Sequence, residues 1–94
     1  MTKKDLERAV DNLNDSYMKR EKNEFQVTGA YGGWKIVLTG KSKKVGGKWV
    51  FYGIGSGSAN LTSGYNSATE TLAQLGVMLS DKEAIKRFIK RYSK

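Results

Sequence analysis

"EFQVTGAYGGWKIVLTG", residues 24–40, decides the fold. Apolar side chains recur at every second position, Phe25 and Val27 before the glycines, and Trp34, Ile36 and Leu38 after them. That is the period of a strand, not of a helix. Gly32 and Gly33 suit a tight reversal, because two-residue hairpin turns demand positive φ. The stretch therefore predicts two antiparallel strands, with Phe25, Val27 and Tyr31 on one face and a bulge at Gly29. A third strand is expected in "KWVFYGIG", 48–55, completing a three-stranded antiparallel meander. Three strands alone bury too little apolar surface, so helices must cover one face.

The flanks supply those helices. Leu6, Val10, Leu13 and Tyr17 recur at helical spacing, which predicts a helix over 3–23 with Thr2 and Asp5 as its capping pair. "SGSANLTSGYN", 56–66, reads as a loop whose length marks it as a functional candidate. Ser67 with Glu70 opens a second helix carrying Ala68, Leu72, Leu75 and Leu79. Ser80 with Glu83 opens a third, carrying Ala84, Ile85, Phe88, Ile89 and Tyr92. The expectation is one α+β domain over 1–94, with the order α-β-β-β-α-α.

Composition bounds the rest. Counting glycine as apolar and leaving tyrosine out gives 42 of 94 residues, ordinary for a globular chain and too high for general disorder. No apolar run approaches the ~18 residues of a membrane span, and "MTKKDLERAV" has no hydrophobic signal segment. An intracellular, cytoplasmic protein with no membrane partner is the expectation. Cysteine and histidine are both absent. That removes thiol nucleophiles, the usual neutral-pH base and the common zinc ligands. No catalytic residue, cofactor or metal is expected. Glu7, Asp11 and Asp15 form an acidic stripe on the first helix, read as a solvated face among Lys4, Arg8 and Lys19.

Two glycine-rich segments fail as phosphate loops. "GKS" at 40–42 lacks the preceding glycine, since position 35 is Lys, and a strand follows instead of a helix. "GIGSGS" at 53–58 ends in Ser where a dinucleotide fingerprint needs Gly.

Charge placement carries the functional reading. The net charge is +8, yet residues 1–24 hold six basic and six acidic side chains and cancel. Residues 25–66 hold five lysines and no carboxylate, and every charge after Glu83 is positive. Such asymmetry suggests an anionic partner. Lys41, Lys43, Lys44 and Lys48 flank the turn at Gly46–Gly47, with Lys35 on the preceding strand. Lys86, Arg87, Lys90, Arg91 and Lys94 cover the terminal helix. These ten are the expected phosphate-contacting residues. Trp34, Trp49 and Tyr52 are the expected aromatic platform, because stacked aromatics beside lysines bind single strands.

The helix–three-strand–helix order over 3–79 resembles the double-stranded RNA-binding domain in architecture. That family's lysine cluster at the start of its second helix is absent here, where the helix opens "SATETL". Its Pro/His-containing loop between the first two strands is here "YGGW". Its RNA specificity is therefore not carried over. The short lysine-rich composition is also similar to small accessory proteins of phages and mobile elements. The sequence thus predicts a small non-enzymatic nucleic-acid-binding protein, DNA or RNA being undetermined. The alternative is an inhibitor or adaptor docking on an acidic host protein or nucleoprotein surface.

Overall fold

The first helix, α1 (Lys3–Tyr17), opens on a reciprocal cap. The Thr2 hydroxyl accepts from the Asp5 N–H, and the Asp5 carboxylate accepts from the Thr2 N–H at 2.8 Å. The helix stops well before residue 23, because after Tyr17 the next positions of its apolar stripe fall on Arg20 and Glu21. Met18 leaves the helix and buries completely. The computed structural model describes residues 2–51 and 58–92.

Strands β1 (Asn23–Ala30) and β2 (Gly33–Gly40) pair antiparallel in unbroken register from Asn23↔Gly40 to Ala30↔Gly33. No bulge occurs at Gly29, which pairs regularly with Trp34. Glycine is required there for another reason: a Cβ would collide with the Trp34 ring. The reversal is Tyr31–Gly32, one residue earlier than the glycine pair suggests, and both residues have positive φ.

The chain continues into a hairpin of β3 (Ser42–Val45) and β4 (Lys48–Phe51), turned by Gly46 and Gly47 at φ 58° and 82°. This ribbon is a separate two-stranded sheet. The third strand of the main sheet is instead β5 (Ser58–Asn60), from the segment expected to be a loop. Part of the expected 48–55 strand, residues 52–55, lies outside the described residues. Two residues, 40 and 41, separate the ladder positions Thr39 and Ser42, whereas six, 52–57, separate Phe51 and Ser58.

The strand order is β1-β2-β5, antiparallel throughout. Beyond β5, Leu61 donates to the Ile36 carbonyl, and Asn66 and Trp34 exchange backbone bonds of 2.7 and 2.9 Å. The long connection is therefore stitched to β2. Helices α2 (Ala68–Leu79) and α3 (Lys82–Tyr92) follow. The Ser67 hydroxyl caps α2 by accepting from Glu70 N–H. At α3 the cap is Asp81, whose carboxylate accepts from Glu83 N–H at 3.0 Å. Ser80, expected in that role, terminates α2 and donates its hydroxyl to the Val77 carbonyl.

All three helices lie on one face of the sheet. Leu6, Val10 and Leu13 of α1, Leu75 of α2 and Ile85 of α3 cluster with Phe25, Ile36 and Leu38. Those sheet positions alternate, so the opposite face carries Gln26, Thr28, Lys35, Val37, Thr39 and Asn60. The fold is a single α+β domain with a three-stranded antiparallel sheet under three helices. β1 is an outer strand, and Asn14 closes part of its free edge. The Asn14 side chain donates to the Phe25 carbonyl at 2.9 Å and accepts from the Phe25 N–H at 2.6 Å, standing in for one residue of a neighbouring strand.

Candidate nucleic-acid interface

The cations divide between the two ends of the sheet. At one end the β1–β2 ladder finishes at Asn23↔Gly40, and the basic ribbon begins two residues later. Phe88 of α3 stacks on Phe25 at the same end, with ring centroids 6.2 Å apart. The ribbon thus leaves the sheet at the end where the apolar side of α3 packs on Phe25.

Individual residues there differ. Lys48 is exposed at the start of β4. The ladder sets Lys43 opposite Val50 and Lys44 opposite Trp49; the side chains of Lys43, Lys44 and Trp49 lie outside the described residues, as do Tyr52 and Lys94 entirely. Lys41 is turned inward. Its ammonium donates to the Met18 carbonyl at 2.9 Å, and its N–H bonds the Lys22 carbonyl. Helix α1 has no basic residue in its own last turn, so Lys41 supplies the cation that its C-terminal dipole favours.

On α3, Lys86, Arg87, Lys90 and Arg91 are all exposed. Two are engaged: Lys86 lies 4.0 Å from Glu83, and Arg87 donates to Asp81 at 3.1 Å. Arg91 packs over the Tyr92 ring at 5.4 Å. Among the described residues only one further ion pair forms, Lys3 with Glu7. Lys35, Lys41, Lys48, Lys90 and Arg91 thus have no carboxylate partner among the described residues.

The opposite end of the sheet holds a group that sequence reasoning missed. Tyr31, expected on a strand face, sits in the turn at φ 52° and is 95% exposed. Its ring meets Tyr65 edge-on, with centroids 5.6 Å apart. The Lys35 ammonium lies 4.6 Å over the Tyr65 ring. Trp34, one of the expected platform residues, points the other way: its ring packs against the helical core, crosses Gly29 and carries the Lys3 ammonium at 4.9 Å. The signal that would have exposed Tyr31 is strand length. Two eight-residue strands in full register leave only Tyr31 and Gly32 for the turn.

The acidic stripe lies elsewhere again. Glu7, Asp11 and Asp15 border clefts of about 280 and 490 Å³ between α1 and β1, which Glu24 also lines. Among the described residues no three metal-ligating groups come together. Lys3, Lys19 and Lys41 line the same clefts, so this side of the molecule is mixed in charge. No helix among the described residues is long and apolar enough to cross a membrane. No protein-family model, curated protein or solved structure matches this chain.

Proposed function

We propose that the protein is a small, non-enzymatic nucleic-acid-binding domain that grips the phosphate backbone with the β3–β4 ribbon and α3. The observation that carries this reading is the set of exposed cations on these two elements that lack a carboxylate partner among the described residues. Lys48, Lys90 and Arg91 meet no carboxylate among the described residues, and the ribbon lies within 42 consecutive residues free of acidic side chains. Uncompensated, solvent-facing lysine and arginine suit counterion-releasing contacts with phosphates. A turn of two glycines at the ribbon tip adds no side chain that would block a backbone.

Mobility shifts on single-stranded and duplex DNA and RNA at two salt concentrations test the reading. Four to six phosphate contacts give a log–log salt slope on the order of −3 to −5. Absence of any shift below physiological salt would end it. A pull-down that recovers one host protein despite nuclease treatment would instead favour the inhibitor or adaptor alternative.

A further inference from the structure

The β1–β2 turn is occupied by an aromatic residue that local physics disfavours. Two-residue turns with positive φ at both positions select Asn-Gly or Gly-Gly. Here the first position is Tyr31 at φ 52°, followed by Gly32 at φ 73°. A bulky residue in that region is strained. Its ring gains little burial in return, since it is 95% exposed. Strain and exposure in one large aromatic point to a task outside the fold.

The surroundings specify the task. Tyr65 meets Tyr31 in an edge-type contact at 5.6 Å that leaves Tyr31 almost wholly exposed. Lys35 lies over Tyr65 with no carboxylate partner among the described residues. Gly32, with open space where a side chain would be, lets a ligand approach the turn backbone closely. The whole group belongs to the carboxylate-free segment of a chain with net charge +8. Charge complementarity selects an anionic partner, and an exposed aromatic face selects one with flat rings.

We propose that this turn is a base-stacking site for single-stranded nucleic acid, Tyr31 receiving an unpaired base and Lys35 the adjoining phosphate. A duplex hides the faces of its bases, so only a single strand can use Tyr31 in this way. The proposal rests on nucleic-acid binding as the function and assigns the aromatic contact to Tyr31 and Tyr65.

The test compares labelled oligothymidylate, oligouridylate and a DNA duplex of equal length by fluorescence anisotropy, with wild type, Tyr31→Phe, Tyr31→Asn and Lys35→Gln. Tyr31→Asn fits the turn better and should keep or raise the melting temperature, so lost binding cannot be lost folding. Its affinity for both single strands should fall roughly fivefold to a hundredfold, while its duplex affinity stays within about twofold. Tyr31→Phe should bind as wild type, and Lys35→Gln should flatten the single-strand salt slope by about one. A folded Tyr31→Asn variant with unchanged single-strand affinity, or with equal losses on single strand and duplex, overturns the stacking site and leaves phosphate binding standing. Wild type that binds none of the three probes at low salt overturns both.

Discussion

Lys41 shows how a residue's role depends on where its charge lands. In the sequence it belongs to a run of lysines flanking a glycine turn. In the fold its ammonium reaches the Met18 carbonyl at 2.9 Å and closes α1. A partly buried, charge-assisted bond at a helix terminus contributes about 1 kcal/mol. Lys41→Met should therefore lower the melting temperature by about 4–8 °C while changing nucleic-acid affinity little. The opposite result, an unchanged melting temperature with weakened binding, would return Lys41 to the phosphate-contacting set. Gly33 shows a different constraint. A Cβ there would lie 2.8 Å from the Asn66 nitrogen and the Tyr65 carbonyl carbon. The segment that carries Tyr65 is close to β2 only because position 33 has no side chain.

At the scale of elements, α3 presents one apolar side and one cationic side, but its cations are not equivalent. Asp81 and Glu83, at its start, engage Arg87 and Lys86. Lys90 and Arg91, in its last turn, lie beyond their reach. If α3 contacts phosphates, Lys90→Gln with Arg91→Gln should flatten the salt slope by about two. Lys86→Gln with Arg87→Gln should flatten it less, because their charge is already partly neutralised. Salt slopes measured on one oligonucleotide decide this, and equal flattening would mean that the intrahelical pairs break on binding. Both double variants should stay folded, because exposed charges contribute little stability.

For the molecule as a whole, acid is the informative stress. With its nine carboxylates protonated the chain carries only its 17 lysine and arginine charges, and self-repulsion grows. Asp5 is held below the usual carboxylate value by the Thr2 N–H and then the Thr2 hydroxyl. A carboxyl depressed on folding stabilises the folded state above its unfolded value, and this contribution is lost as pH falls through the folded value. Asp5→Asn should thus be less stable than wild type at neutral pH, with the gap closing below about pH 4. Melting curves by circular dichroism across that range measure it. A gap that persists at low pH would show that the cap does not depend on the ionised carboxylate.

The local chemistry of the chain determined the helices, the first hairpin and the α+β class. Periods of 3.6 and 2, caps such as Ser67 and the paired strands around Gly32 are short-range signals, written in neighbouring residues. It also determined that the positive charge gathers in the middle and at the end of the chain. Tertiary structure decided which segment became the third strand of the sheet. Ser58–Asn60 pairs with β2, while Lys48–Phe51 folds back on β3. That choice depends on register between segments about 20 residues apart, which no local pattern encodes. It also decided the fate of single side chains. Lys41 became a helix cap, Trp34 turned toward the helices, and Tyr31 was left exposed in a strained turn. Lys41 and Tyr31 meet partners distant in sequence, Met18 and Tyr65, which only the tertiary structure brings within reach, whereas Trp34 crosses Gly29 inside the first hairpin.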